Sequence, residues 1–303
     1  MFDVVIVGGG PAGLSAALVL GRCRRRVLVC DEGRPRNARA TSLNGYLTRD
    51  GVAPTDFLRL GRDELQRYGV VQKATTVSDV VRQPAGFEVR FDNGDRVSGR
   101  TVLLATGVRD ELPDIPGLDE CYGITVHHCP YCDGWEVRDR TIAVVGTSGS
   151  PVGLALSLTT WSARVVACTN GRRLAPAHRR QLALHDIPSH EARIVRLVHE
   201  DGRTRHLELA DGQRVDCEAV FFASSQRQQC GLAKRLGCEF TRKGTVKTDL
   251  LGKTCVPGIY VVGDASRDVQ FVIVAAAEGA KAGVAINKAL QASAGLVPEA
   301  VAS

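Results

Sequence analysis

The feature that most constrains this chain is a repeat inside it. Residues 4–33 (VVIVGGGPAGLSAALVLGRCRRRVLVCDEG) and 142–171 (IAVVGTSGSPVGLALSLTTWSARVVACTNG) align without a gap. Gly8 falls on Gly146, Leu14 on Val152, Val27 on Val165, Cys30 on Cys168 and Gly33 on Gly171. Each copy reads as an apolar strand, a glycine turn, an Ala/Leu-rich helix and a second strand. A second element repeats downstream. Phe87–Phe91, the turn Asp92-Asn93-Gly94 and a run ending Leu103-Leu104-Ala105-Thr106-Gly107 match His206–Leu209, the turn Asp211-Gly212 and a run ending Phe221-Phe222-Ala223-Ser224-Ser225. Alternating residues around an N-G or D-G turn signal a hairpin. The expected fold is therefore α/β, with two Rossmann-like, three-layer β/β/α nucleotide-binding domains. A length of 303 residues suits two domains, at roughly 100–200 residues each.

The C-terminal part has no partner in the repeat. It runs through Gly258-Ile259-Tyr260-Val261-Val262-Gly263-Asp264 into a helical stretch from about Phe271 to Gln291. If this part completes the first domain, the second is inserted within it. The expected division is 1–116 plus 246–303 for the first domain and 117–245 for the second. Hinges are expected at Pro113–Leu118 and Thr241–Thr248.

Gly8-x-Gly10-x-x-Gly13 lies between a strand and a helix. The first glycine allows the tight turn, the second lets backbone approach a pyrophosphate, and the third permits close helix–strand packing. An acid at the end of the next strand, Asp31 or Glu32, is placed to bind ribose hydroxyls. In the second copy, Gly10 is answered by Ser148, Gly13 by Pro151 and Asp31 by Thr169. Ser148 puts a side chain where backbone should approach phosphate, and Pro151 donates no N–H. Loss of the acid argues against NADH, whereas Arg172 and Arg173 could hold a 2′-phosphate. The second cleft is thus degenerate, and three readings stay open for it: NADP(H) held through Arg172 and Arg173, a vacant cleft, or another adenine dinucleotide.

Between the copies stands His127-His128-Cys129-Pro130-Tyr131-Cys132-Asp133-Gly134-Trp135-Glu136. A C-x-x-C at a helix start favours the thiolate, which attacks a disulfide while the second thiol resolves the mixed species. Asp133 could shuttle the proton. The rival reading is half a zinc site, but structural zinc wants four ligands and no second C-x-x-C exists. His127 and His128 read as structural or hydrogen-bonding residues, or as the missing zinc ligands.

Composition excludes other classes. At 44% hydrophobic and 24% charged residues, the chain is not disordered. Its net charge of +6 is scattered, aromatics are 5%, and no helix-turn-helix or zinc-finger spacing occurs, so nucleic acid is not expected. No apolar stretch approaches the roughly 18 residues of a membrane span. With no basic leader at Met1-Phe2-Asp3 and one C-x-x-C among ten cysteines, a reducing, cytoplasmic setting is expected. The other cysteines read as small hydrophobes.

Taken together, the motifs resemble the low-molecular-weight thioredoxin reductase family of flavoproteins. The resemblance rests on Gly8–Gly13, Ala105-Thr106-Gly107, Cys129-x-x-Cys132-Asp133-Gly134 and Gly263-Asp264 followed by Gln270 and an Ala/Gly-rich helix. It implies FAD in the split domain, held by the Gly8-Gly9-Gly10-Pro11-Ala12-Gly13 turn and by Ala105–Gly107. Asp264 would lie on the ribityl chain and Gln270 near the pyrimidine end. It further implies Cys132 facing the flavin, Cys129 attacking substrate, and Asp133 as acid/base. The implied partner is a thioredoxin-like protein or a small-molecule thiol or disulfide, and the implied assembly is a homodimer. Family reductases carry an intact second glycine motif and a basic stretch for NADPH, where this chain has Ser148, Pro151 and Thr169-Asn170-Gly171. Val269 stands where an arginine usually precedes the flavin-proximal glutamine. Cys-Pro-Tyr-Cys with Arg36-Asn37 is also similar to the branch of dithiol oxidases that pass electrons from a dithiol through FAD to oxygen. The expected function is an FAD-dependent disulfide/dithiol oxidoreductase with nicotinamide use in doubt, the first alternative being a dithiol oxidase. A non-catalytic flavin- or zinc-binding redox sensor is a third reading, disfavoured because the dithiol and its acid are both present.

Overall fold

The computed structural model describes residues 1–146, 151–223, 225–267 and 269–296. Ser148 and Ser224 lie outside these residues. In chain order the elements are β1 (Phe2–Val7), α1 (Pro11–Arg22), β2 (Val27–Asp31), α2 (Pro54–Gln66), β3 (Val71–Ala74), β4 (Val77–Gln83), β5 (Gly86–Phe91), β6 (Arg96–Leu104) and β7 (Val108–Glu111). Next come α3 (Leu118–Cys121), β8 (Val126–His127), α4 (Pro130–Asp133), β9 (Ile142–Val145), α5 (Val152–Leu158), β10 (Val165–Cys168), α6 (Pro176–Ala183) and β11 (Ser189–His190). The remainder holds β12 (Ile194–Glu200), β13 (Arg203–Leu209), β14 (Arg214–Asp216), β15 (Ala219–Phe222), β16 (Ser225–Gln228), α7 (Leu232–Arg235), β17 (Ile259–Val261) and α8 (Val272–Ser293).

The chain divides into two compact units. The first comprises Met1–Ala38, Thr55–Arg109 and Arg227–Ser303. Its parallel strands run in the order β3-β2-β1-β6, with β17 pairing parallel to the other side of β6. The leading part of β6 pairs antiparallel with β5, and β5 with β4. Strands buried on both faces read as continuous apolar runs because successive side chains alternate between faces. Val4, Ile6, Val27, Val29 and Leu103 face Leu14, Ala16, Ala17 and Leu20 of α1 and Ala282 and Ile286 of α8. Val5, Val7, Leu28, Val102 and Leu104 face Phe87, Val89 and Phe91 of the antiparallel ribbon. Helices, sheet and ribbon make three layers. α8 lies against α1 at backbone distance, since a methyl on Gly279 would stand 2.0 Å from the Ala12 carbonyl oxygen.

The second unit, Arg39–Pro54 plus Asp110–Gln226, repeats the plan. Its parallel order is β11-β10-β9-β15-β8, with the antiparallel ribbon β12-β13-β14. Ile142, Val144 and Phe221 face Val152, Ala155 and Leu158 of α5, while Ala143, Val145, Val220 and Phe222 face Leu197, Leu207 and Leu209 of the ribbon. The copies differ in one respect. β6 is unbroken over nine residues, whereas its counterpart splits into β14 and β15. The break comes where the Glu218 N–H turns to donate to the Thr141 carbonyl, 2.8 Å.

These units correct the expected boundaries at 116/117 and 245/246. Ile115 and Leu118, within the stretch read as a hinge, are buried in the second unit's core. Leu232, Ala233 and Cys238 are buried with Val5 and Val7 in the first. The segment 39–54, expected in the first domain, groups with the second, where the Arg39 guanidinium donates to an Asp119 carboxylate oxygen at 2.7 Å.

Candidate functional site

In the first unit the glycine turn is shaped by backbone contact. Gly8 has φ +107°, and a methyl there would stand 2.3 Å from the Ala105 carbonyl oxygen. A methyl on Gly13 would stand 1.9 Å from the Gly8 carbonyl oxygen, whereas nothing lies within 4 Å of one on Gly10. Two glycines are therefore required by packing, and the middle one faces open space. Gly10 is the N-cap of α1, and no side chain caps that end. Uncapped N–H groups at a helix start beside such a space fit a pyrophosphate.

Of the two expected acids, Asp31 has both oxygens engaged with backbone, accepting from the N–H groups of Gly9 and Gly33. It holds the turn itself. Glu32 accepts from Arg34 at 2.6 Å and Gln229 at 3.3 Å, and the Arg34 bond above all holds its carboxyl below the usual range. Ala105 donates to the Val7 carbonyl, and Gly107, with φ +66°, accepts from the Gln229 N–H. Thr106 lies between them. Gly263 has φ +71° and meets Ala12 across the turn, its N–H donating to Glu278 of α8 at 2.9 Å. One nitrogen of Arg36, Nη1, donates to Asp264 at 2.8 Å and to Gln270 at 2.6 Å. The expected residues Gly8–Gly13, Ala105–Gly107, Gly263, Asp264 and Gln270 thus converge. The sequence reading missed Glu278 as the anchor of the Gly263 turn and left Arg36 a signature rather than a site residue. Arg36 acts across 228 and 234 residues and Glu278 across 15, and neither carries a local pattern.

In the second unit Cys129 and Cys132 form a disulfide, with Cα atoms 5.3 Å apart. Cys129 is the N-cap of α4, a helix of only four residues, so the dipole invoked for thiolate stabilisation is that of one turn. Gly134 closes this turn, where a methyl would stand 2.5 Å from the Pro130 carbonyl oxygen and 2.7 Å from the Trp161 ring. Asn44, unremarked in the sequence, donates to the Cys132 carbonyl at 2.9 Å. Asp133 is pushed up to about 7, first by burial and then by Glu136. His127 Nδ1 lies 3.5 Å from an Asp133 oxygen, and burial followed by His128 pushes the imidazole down to about 4. Near neutrality this is an uncharged imidazole beside a carboxyl that can hold or release a proton, so close contact here does not mean an ion pair. His128 Nδ1 meets the Tyr122 hydroxyl at 3.1 Å, which also bonds Asp110. Tyr131 and Trp135, on either side of Cys132, are 71% and 64% exposed. Among the described residues, no group of three or more His, Cys, Asp or Glu is placed to hold a metal ion. Cys30 and Cys168 are buried and pushed up to about 12, which leaves them unreactive.

The second nucleotide-type cleft keeps the frame of the first. Gly146 donates to the Cys168 carbonyl at 2.8 Å, as Gly8 does to that of Cys30 at 2.8 Å. Pro151 is the N-cap of a seven-residue α5, against twelve residues in α1. Thr169, in the place of the acid, is buried and donates to the Arg172 carbonyl. The Arg172 and Arg173 side chains are exposed.

Comparison with known proteins agrees with this frame. The family model described as pyridine nucleotide-disulphide oxidoreductase matches residues 2–279. Thioredoxin reductase tcpT of Claviceps purpurea is 32% identical, covering 86% of each chain. Among solved structures, HlmI is 42% identical with a TM-score of 0.93, covering 97% of this chain and 95% of the other. An oxidoreductase from Agrobacterium tumefaciens is 34% identical with a TM-score of 0.89, covering 95% and 98%.

Proposed function

The chain belongs to the pyridine nucleotide-disulphide oxidoreductase family, and from that premise we propose that it is an FAD-dependent disulfide/dithiol oxidoreductase of the thioredoxin reductase type. The observation that carries this reading is the Cys129–Cys132 disulfide followed directly by a carboxyl that titrates near neutrality. The first unit offers the cofactor an open, uncapped helix start at Gly10, with Glu32, Asp264 and Gln270 as further partners. When bound, FAD supplies the two-electron carrier that closes the cycle.

The chain's own residues handle sulfur and protons. A substrate thiolate attacks the Cys129 sulfur, a mixed disulfide forms, and Cys132 leaves as thiolate. The Asp133 proton passes to a departing sulfur and returns when the reaction runs in reverse. A second substrate thiolate displaces Cys129, giving a substrate disulfide and a protein dithiol that holds the electron pair. The partner is a thioredoxin-like protein or a small-molecule thiol or disulfide, and the working form is a homodimer.

NADPH is a poor donor or none. Pro151 brings no N–H to the second helix start, and Thr169 brings no carboxylate to the strand end. The first loss, one charge-assisted bond at about 1.5–3 kcal/mol, weakens NADPH binding by roughly one to two powers of ten, and the second weakens NADH, whose ribose the acid would hold. Arg172 and Arg173 would favour NADPH over NADH. The same features favour a second reading, a dithiol oxidase that draws electrons from its substrate and passes them to oxygen. The experiment is anaerobic mixing with NADPH, NADH or a dithiol while following flavin absorbance. Bleaching by the dithiol and little by NADPH is expected. Fast, complete bleaching by micromolar NADPH would restore an ordinary NADPH-dependent reductase, and a protein that cannot be loaded with FAD would end the reading altogether.

A further inference from the structure

Two of the remaining cysteines stand close together in the first unit. Cys238, just after α7, is buried, and Cys255, on the turn that leads into β17, is exposed. The Cys255 thiol donates to the Gly237 carbonyl at 3.6 Å. That carbonyl belongs to the peptide unit that ends on Cys238, so the Cys255 sulfur stands within roughly 6.5 Å of the Cys238 Cα. The contact has a counterpart. Burial pushes the Cys238 thiol up, a hydrogen bond from the Thr254 side chain draws it partly back, and the neighbouring Cys255 adds to the rise. Each thiol thus meets the residue that precedes the other cysteine, and the two segments cross with both sulfurs at the crossing. The backbones there are held by the Cys238 N–H on the Ala233 carbonyl and the Ile259 N–H on the Val256 carbonyl, both at 3.0 Å. What remains adjustable is χ1 of each cysteine, which turns the sulfur among three staggered positions.

We propose that Cys238 and Cys255 are a second redox-active thiol pair, which a low-molecular-weight disulfide converts to a Cys238–Cys255 disulfide independently of the Cys129–Cys132 site. Exposure sets the order of events, because a reagent reaches Cys255 and not Cys238. The Cys255 thiolate attacks one sulfur of the reagent RSSR. A bond forms between Cys255 and that sulfur, the reagent's S–S bond breaks, and RS⁻ leaves and takes up a proton. Cys238 then loses its proton to solvent, its thiolate attacks the Cys255 sulfur, and the second RS⁻ leaves. RSSR is reduced to two RSH, and the two cysteines together give up two electrons and two protons. The product clips the segment after α7 to the turn before β17. That strand ends one residue before Val262, which leads into Gly263 and Asp264, so the closed pair would stiffen the approach to the glycine-turn region.

The test exposes the full chain, loaded with FAD, to glutathione disulfide. Remaining thiols are blocked with N-ethylmaleimide, and tryptic peptides are mapped by mass without reduction. Cleavage after Arg235, Arg242, Lys253 and Arg267 puts Cys238 in peptide 236–242 and Cys255 in peptide 254–267. In wild type, peptide 254–267 should first carry one glutathionyl group and then appear joined to 236–242. Cys238→Ala should stop at the glutathionyl adduct. In Cys255→Ser, Cys238 should be modified at least about tenfold more slowly than Cys255 is in wild type, since a buried thiol meets the reagent only through local opening. The wild-type map decides the pairing without any variant. A Cys255 adduct that never resolves overturns the proposal, as does a joined peptide that forms no faster in native protein than in urea-unfolded protein. Equal rates at Cys238 in Cys255→Ser and at Cys255 in wild type would overturn the order of attack.

Discussion

Gly10→Ala and Gly13→Ala place the same methyl at two points of one turn, and their consequences should be opposite. At Gly13 the new carbon would stand 1.9 Å from the Gly8 carbonyl oxygen and 3.0 Å from its carbonyl carbon. Neither atom can swing aside as a side chain would, so α1 must shift against β1. Overpacking of this kind costs about 1–3 kcal/mol, more than the roughly 1 kcal/mol that alanine gains over glycine inside a helix. At Gly10, φ is −78° and no heavy atom lies within 4 Å, so the apoprotein loses only the glycine N-cap, under about 1 kcal/mol. For the cofactor the order reverses. The Gly10 methyl fills the space from which a phosphate would reach the first N–H groups of α1. One or two charge-assisted bonds at about 1.5–3 kcal/mol each amount to one to four powers of ten in FAD affinity, at roughly 1.4 kcal/mol per decade. Urea denaturation of the two apoproteins and FAD titration by flavin fluorescence measure the two effects separately. A Gly10→Ala protein that binds FAD like wild type refutes the argument, because the phosphate would then lie elsewhere.

Two further outcomes are expected. Cys129→Ser should leave the Cys132 thiolate free to give a long-wavelength charge-transfer band, and replacing either cysteine should abolish disulfide turnover with FAD retained; unchanged turnover in both variants would place the chemistry elsewhere. Arg36→Met should weaken FAD retention, measured by dialysis, because it removes the cation shared by Asp264 and Gln270 in a setting where both partners of the ion pair are at most 20% exposed. Arg36→Lys should recover part of that retention, and an unaltered rate of FAD loss in Arg36→Met would show that the bridge does not support the cofactor.

The repeat made the fold readable because both sheets are covered on both faces, which turns β1, β2, β9 and β10 into uninterrupted apolar runs. The glycine turns were readable because backbone contacts such as Gly13 against Gly8 admit no other residue. What escaped has a common cause. Pro113–Leu118 looks like a linker by its prolines and glycine, yet Ile115 and Leu118 bury their side chains. Residues 39–54 carry no periodic pattern, and Asn44 attaches them by one hydrogen bond to Cys132 and Arg39 by two to Asp119. Arg36 acts on residues 228 and 234 positions away, and Glu278 reaches back across the loop that precedes α8. The Asp133 motif was visible, but its elevated titration depends on burial, which no spacing encodes.

The close seating of α8 on α1 has a consequence for the order in which the protein can be made. The helix that must lie within backbone distance of Ala12 begins at Val272, so it is translated long after Ala12 and after β17. Most of the second unit, Asp110–Gln226, leaves the ribosome between them and can assemble while the first sheet still lacks β17 and its covering helix. Until α8 emerges, the apolar face of β1 and α1 waits for residues that have not yet been added and stays open to chaperones and to misassociation, and a stop codon before Val272 would leave the glycine turn without its support.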